Sequence, residues 1–382
     1  MLNFIRKIIK PKYETLNWIE VDASKIIANF NYLQSWQREA EIFPVLKANA
    51  YGHGLKEVCE ILNKTEAKMV VVDSYPEAQI AYRYFKGRVL ILGEMPLDAY
   101  HYAKLKRTEF VVYNEKTLRY LSRFGGKAHI HLFVNSGMNR EGIKDIRAFI
   151  DNNKKYLAKI NLSGLCSHLA SADSSSILNT IQEDIFMEAL DTLRSAGYFP
   201  RWIHLGNSAA VFKTDNKFLT AFRPGLSFYG YSPFALEDSQ NIRLQPALEL
   251  FSRIVSLQDL QANESVSYNE TYRAAQATKI ASIPFGYFEG LDRRLSNKAE
   301  FLVLNKNPFW AQVAGRVCMN LTCLEIGNNE VKVGTPVKLI ANDSDERNSI
   351  DNLADLMGTI SYELLVKLQA NIRRYIINNP KK

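Results

Sequence analysis

A rhythm of eight short apolar runs between Ile42 and Tyr229 constrains this chain more than any other feature. The runs are Ile42–Leu46, Met69–Val72, Val89–Leu92, Phe110–Tyr113, Ile130–Val134, Ile160–Cys166, Trp202–Leu205 and Leu226–Tyr229. Each is nearly continuous in apolar residues, as a strand covered on both faces must be. Segments with helical spacing separate them. Between the sixth and seventh runs, Ile181, Ile185, Ala189 and Leu193 recur every four residues, and Gly197 and Pro200 end the pattern. The count and spacing predict an α/β fold, a parallel (β/α)8 barrel. An open doubly wound sheet would need a Gly-x-Gly-x-x-Gly turn after its first strand, and none is present.

The flanks read differently. Trp18–Asp22 alternates like a strand, and Ser24 is placed to cap a helix with Ile26, Phe30, Leu33 and Trp36 on one face. Beyond Gln245-Pro246 short alternating runs take over, among them Arg316–Thr322, which predicts a half-buried antiparallel strand. Helical segments follow near Asp351–Met357 and Glu363–Leu368. The expected division is a basic N-terminal extension (1–17), a barrel domain (18–245, its strand 18–22 joining the other domain) and a C-terminal, mostly antiparallel β-domain (246–382).

Composition narrows the function. The net charge is +8, but the lysines and arginines are scattered and no nucleic-acid-binding motif appears. No apolar run is long enough to predict a membrane span. Leu2–Lys10 is basic and mildly amphipathic and lacks the pattern of a signal peptide, so a frayed terminus is expected, with weak membrane-surface contact as the alternative. Four cysteines without a Cys-x-x-Cys pair predict reduced thiols and a cytoplasmic protein. His129 and His131 lie two apart on one strand face; a satisfied or exposed pair is expected there, not a metal site.

The candidate chemistry begins at Lys47, which follows the first apolar run and precedes the turn Tyr51-Gly52-His53-Gly54. A lysine held at a buried strand end is suited to Schiff-base formation. The string Val45–Gly54 resembles the cofactor-lysine signature of the alanine racemase family, enzymes that use pyridoxal 5'-phosphate. The resemblance implies that Lys47 carries the cofactor and that Tyr51 lies beside it. It continues at His204–Ala210, Arg223–Gly230, Val266–Tyr272, Ile283–Tyr287, Gly315–Asn320 and Thr359–Glu363. By the same resemblance Ser208, Gly225, Leu226 and Tyr362 hold the phosphate, with Asn207 in the same cofactor-binding set. Arg223 faces the pyridine nitrogen, and His168 lies against the ring. Tyr268 is the second base, opposite Lys47. Met319 approaches the substrate carboxylate, and Tyr287 lines the entrance. Arg140 contacts both cofactor and substrate.

Some positions depart from the family pattern. Phe133 stands where many members have a lysine, carried as a carbamate, that orients the arginine; Asn135 or a bound anion is expected to hold Arg140 instead. Asn320 replaces an Asp, Phe288-Glu289 replaces Ala-Asp, and Asn269-Glu270 replaces Gly-Arg. The resemblance implies a homodimer with shared sites that interconverts L- and D-alanine and supplies D-alanine for peptidoglycan. A racemase of wider range, acting on serine or basic amino acids, and a non-catalytic cofactor-binding protein are the alternatives. An amino-acid decarboxylase would want an acid in place of Arg223.

Overall fold

The structure, a computed structural model, describes residues 14–213, 218–234 and 242–380. The basic segment Leu2–Lys10 lies outside the described residues. Contacts divide the described chain into two compact units. One comprises Val21–Ala247 with the residues from Ile376 onward; the other comprises the residues up to Glu20 with Leu248–Tyr375.

In the first unit eight parallel strands form a closed ring. After β1 (Trp18–Asp22) come β2 (Glu41–Ile42), β3 (Met69–Val72), β4 (Arg88–Ile91), β5 (Thr108–Val112), β6 (His129–Phe133), β7 (Asn161–Cys166), β8 (Trp202–His204) and β9 (Ala221–Phe222). Strands β3 to β8 pair in sequence order, and β2 pairs with β9. A bridge between Val45 and Val71 joins the β2 segment to β3. Thr220 N–H to Ile203 O (2.9 Å) and Arg223 N–H to Gly206 O (2.9 Å) join β9 to β8. Burial explains why these runs become strands: every residue of Met69–Val72 and Thr108–Val112 is buried. Removing a Val or Leu side chain from water contributes about 1.5–3 kcal/mol.

Two expectations change here. The eighth strand is Ala221–Phe222, not Leu226–Tyr229, which forms a 3-10 turn. Continuous apolarity marked burial correctly in Leu226–Tyr229, but a buried turn reads like a buried strand. On the helix Ile177–Ser195 the buried face is Gln182, Phe186, Ala189, Leu190 and Leu193, whereas Ile181 and Ile185 are 46% and 37% exposed. A repeat of four residues drifts around a helix of 3.6 per turn, so the stripe leaves the core at its N-terminal end.

The second unit holds β10 (Leu248–Arg253), β11 (Ser256–Leu260), β12 (Ser265–Val266), β13 (Tyr272–Arg273), β14 (Thr278–Ile283), β15 (Glu300–Val303), β16 (Phe309–Val313), β17 (Thr322–Glu325), β18 (Pro336–Ile340) and β19 (Arg373–Ile377). Nine strands form one sheet in the order β11-β14-β17-β16-β15-β18-β10-β1-β19; β12 and β13 make a separate hairpin. Strand β1 therefore lies in this mostly antiparallel sheet. Arg316–Leu321 is a loop rather than a strand: Val317 is buried, but Met319 and Leu321 project outward. Helices Ile350–Met357 and Ser361–Lys367 close the sequence of elements before β19.

The helix Ala23–Trp36 starts from Asp22, not Ser24, and Trp36 is exposed rather than on the buried face. One carboxylate oxygen of Asp22 accepts from Ser24 N–H (2.9 Å), Lys25 N–H (3.1 Å) and the Ser24 hydroxyl (2.6 Å). The other accepts from Asn378 (2.7 Å). Burial acts to raise the Asp22 pKa, but the bonds from Ser24, Asn378 and Lys25 outweigh it and hold it below 3.8. The stability this group adds is therefore complete above the unfolded value near 3.8 and disappears as pH falls through the lower folded value. Asp22→Ala is expected to lower stability by about 1–2 kcal/mol in chemical denaturation at neutral pH. The difference from wild type should narrow in acid.

Candidate active site

Lys47 leaves the barrel on an unusual turn. Ala48, Asn49, Ala50 and Tyr51 all have left-handed backbone, with φ of 53°, 54°, 54° and 50°, before Gly52 at 78°. Left-handed conformation costs an L-residue about 1–2 kcal/mol, so four in a row need compensation. Hydrogen bonds supply it. Ala50 N–H reaches Leu46 O (2.8 Å), and Gly54 N–H reaches Asn49 O (3.0 Å). The Asn49 side chain accepts from Leu55 N–H (2.9 Å), and Glu77 accepts from Ala48 N–H (2.7 Å). The turn aims the chain so that Tyr51 stacks on Tyr229 (5.1 Å between rings), whose hydroxyl donates to Val45 O (2.8 Å). Lys47 itself is half-buried.

Arg223 is 5% exposed and spends its donors on the barrel. It donates to His204 O (2.7 Å), to Ser167 O (2.5 Å) and, more weakly, to His168 Nδ1 (3.4 Å). It also donates to His204 Nδ1. His168 is driven to a pKa of about 3, first by burial, then by the charges of Arg223, Arg140 and Lys47. Those three cations and one neutral imidazole are thus neighbours in the barrel unit. Gln182, fully buried, fixes the loop carrying His168: it donates to His168 O (2.9 Å) and accepts from Ala170 N–H (2.8 Å). A polar residue on a helix gives no sequence signal of this role.

The segment after β8 and the turn after β9 meet at Ser208. Its hydroxyl oxygen accepts from Gly225 N–H (3.0 Å) and Ser227 N–H (3.3 Å). A Cβ on Gly225 would lie 2.4 Å from the Tyr51 hydroxyl, so only glycine fits that approach. The Ser227 hydroxyl is buried with no partner among the described residues. Leu226 is buried beside it. Asn207 accepts from Ala209 N–H (3.1 Å) and Ala210 N–H (3.3 Å), which holds this segment in shape.

Arg140 is held differently from the expectation. Asn135 accepts from Gly137 N–H (3.2 Å) and Asn139 N–H (3.1 Å), so it shapes the loop rather than the arginine. The partner of Arg140 is Glu141, at 3.1 Å from Nε and 2.8 Å from Nη2. Phe133 is buried against Tyr113, with ring centroids 5.0 Å apart. His129 bonds Ser163 (2.9 Å), and His131 is bonded to His204 and Glu109, so the two histidines are satisfied separately.

The remaining candidates belong to the β unit. Tyr268 sits between β12 and β13 on a turn in which Ser267, Asn269 and Glu270 have φ of 67°, 60° and 49°. It is 65% exposed. Ser267 anchors the turn by donating to Arg316 O (2.7 Å). Tyr287 and Met319 lie on two loops bound to each other through Tyr287 N–H to Cys318 O (3.0 Å) and Phe288 N–H to Met319 O (2.9 Å). Two of the departing residues meet here: Glu289 accepts from Asn320 (2.7 Å) and from Gly286 N–H (2.8 Å). Tyr362 stands in the first turn of Ser361–Lys367.

A barrel with a strand-end lysine, a Ser208 hydroxyl that draws two backbone N–H groups together and a buried arginine, joined in sequence to an antiparallel β unit, defines a two-domain enzyme class. Residues 21–233 match the family model "Alanine racemase, N-terminal domain", and residues 247–376 match "Alanine racemase, C-terminal domain". The alanine racemase of Leptospira interrogans is 31% identical over 381 residues, covering 95% of this chain and 96% of that protein. That of Clostridium perfringens is 29% identical, with 95% of each chain covered. Among solved structures, the Bacillus anthracis alanine racemase with bound L-Ala-P superposes with a TM-score of 0.86 at 29% identity, covering 97% of each chain. The chain belongs to the alanine racemase family and is a racemase, an isomerase of amino acids.

Ala50→Val should lower stability by about 2 kcal/mol in chemical denaturation, because a β-branched residue resists left-handed backbone. Ala50→Gly should change it by less than about 1 kcal/mol. His168 has a folded pKa below its ordinary 6.5, so its contribution to stability is lost as pH falls below 6.5. Its imidazole resonances should show no protonation in NMR titrations down to about pH 4.5.

Proposed function

We propose that the protein interconverts L- and D-alanine with pyridoxal 5'-phosphate, using Lys47 and Tyr268 as bases on opposite sides of one carbon. The observation that carries this reading is the gathering of Lys47, Arg140, His168 and Arg223 in one barrel unit, where the Ser208 hydroxyl also draws together the Gly225 and Ser227 N–H groups. A Ser227 hydroxyl buried with no partner among the described residues, and a glycine whose Cβ would meet the Tyr51 hydroxyl, suit a phosphate group. Ser208, Gly225, Leu226 and Tyr362 would hold that phosphate, with Asn207 keeping the segment in shape. Lys47 would take the aldehyde carbon, Tyr51 would lie beside it, and His168 would face the ring. When bound, the cofactor acidifies the Cα hydrogen of an amino acid.

The chain's own groups do the rest. Lys47 handles the proton on the D side and Tyr268 on the L side. Arg223 has donors and no acceptor, so it leaves the ring nitrogen unprotonated. That favours return of the proton to Cα. Arg140, steadied by Glu141, binds the substrate carboxylate. The Met319 backbone N–H meets the same carboxylate, and Tyr287 lines the way in. His168 adds no charge at working pH.

Tyr268, Tyr287, Phe288 and Met319 are all exposed on the β unit. Exposed large apolar side chains suit burial against a second copy, which supports a homodimer whose β unit completes the partner's barrel site. Four free cysteines support a reducing, cytoplasmic setting, where the product would feed peptidoglycan synthesis. Among the described residues no helix is long and apolar enough to cross a membrane. The Glu289–Asn320 bond beside Tyr287 and Met319 favours a second reading, a racemase of wider amino-acid range.

Exchange of the Cα hydrogen in heavy water, followed across several L-amino acids, tests the reading. Alanine is expected to exchange fastest; faster exchange of serine or lysine would select the second. Tyr268→Phe should keep the visible absorbance of bound cofactor and lose about 10²–10⁴ in rate. Lys47→Ala should lose the absorbance as well. An unaffected Tyr268→Phe would point to a cofactor-binding protein without this chemistry.

A further inference from the structure

The barrel core holds a buried polar chain that the proposed chemistry does not use. His204 Nε2 lies 2.6 Å from His131 Nδ1, and His131 Nε2 lies 2.6 Å from a carboxylate oxygen of Glu109. The other carboxylate oxygen accepts from Arg88 Nε (2.6 Å). His131, His204 and Glu109 are buried. The link from β6 to β8 passes over β7 at Gly164, where a Cβ would sit 2.3 Å from His131 Nδ1. A glycine therefore clears the path between the two rings. Barrel interiors are ordinarily filled with branched apolar residues, so a line of polar groups here needs a reason.

The direction of every bond in the chain follows from its end. Arg223 carries donors only, so the His204 Nδ1 that faces it must be a bare acceptor. Burial, then the charge of Arg223, holds the His204 pKa well below its ordinary value, so its one N–H is on Nε2. That N–H points at His131 Nδ1, which must also be bare. His131 then keeps its proton on Nε2 and donates it to Glu109. Burial alone would raise the Glu109 pKa; the bonds from His131 and Arg88 and the charge of Arg88 bring it below its ordinary value. The carboxylate is ionised, and no carboxylate hydrogen-bonds Arg223 directly among the described residues.

We propose that His204, His131 and Glu109 are positioning residues for Arg223. They form a one-way line of donors from the guanidinium to a buried carboxylate that locks both imidazoles as neutral Nε2–H tautomers and supplies the counter-charge from across β7. Their consequence for the reaction rests on the reading above, in which Arg223 faces the cofactor ring nitrogen. A guanidinium fixed and charged in this way can only donate to that nitrogen.

Nitrogen-15 NMR of the holoenzyme labelled at histidine tests the line without measuring turnover. His131 and His204 are expected to show a protonated Nε2 and a bare Nδ1, unchanged from about pH 6 to about pH 9. A protonated Nδ1 on either ring, or a cationic imidazole, overturns the proposal. Glu109→Gln should shift the absorption band of bound cofactor and lower kcat on the order of tenfold, as expected when a charge-assisted bond is lost. KM should stay within about twofold, and Glu109→Asp should restore part of the rate. If Glu109→Gln reduces thermal stability while band and kcat stay unchanged, the line is structural and the proposal fails. Wild-type protein that binds no cofactor would instead sink the functional reading and leave the tautomer test intact.

Discussion

A positive charge buried at the seam of a closed barrel is the interaction on which this site depends. Arg223 follows β9, the two-residue strand that closes the ring, and its backbone N–H is part of the closure. Its guanidinium meets carbonyl oxygens of β8 and of Ser167 just beyond β7, together with a ring nitrogen of β8. An unpaired buried charge would cost several kcal/mol, so those acceptors are a condition of the fold as well as of the site. Barrel closure and placement of the arginine are one structural event. Burial first, then the same cation with Arg140 and Lys47, keeps His168 neutral.

Strain is concentrated where the chemistry is proposed. The left-handed stretch after Lys47 and the positive-φ residues around Tyr268 are the two longest runs of such backbone in the described chain. Each is tied down by neighbours, through Glu77 and Asn49 in one case and Ser267 in the other. In each, the tight turn sets the direction of a side chain that extended backbone would send elsewhere. The two proposed bases therefore share a design: a reactive side chain on a strained turn, beside rigid strands.

Much of this was legible in the sequence, and the failures have physical causes. Seven of the eight barrel strands lie at or overlap the apolar runs, because a strand buried on both faces must be apolar throughout. Leu226–Tyr229 misled because a buried 3-10 turn needs the same residues. Arg316–Thr322 misled because period-two alternation needs burial to become a strand, and here only its ends are covered. The strand-end lysine and its glycine-bounded turn were readable from local spacing. The Glu109–His131–His204 line was not, since its members are separated by 22 and 73 residues and only the ring geometry brings them together. Glu141 escaped notice for the opposite reason: an acid next to an arginine in sequence is too common to signal anything.

The claim that a charged Arg223 donates to the ring nitrogen of pyridoxal 5'-phosphate is tested most directly by a crystal structure of the cofactor-bound protein. The account predicts a guanidinium nitrogen within hydrogen-bonding distance of that ring nitrogen, with the bonds to His204 and Ser167 intact. A cofactor bound through Lys47 with Arg223 turned away from the ring, or with a carboxylate at the ring nitrogen, would contradict it.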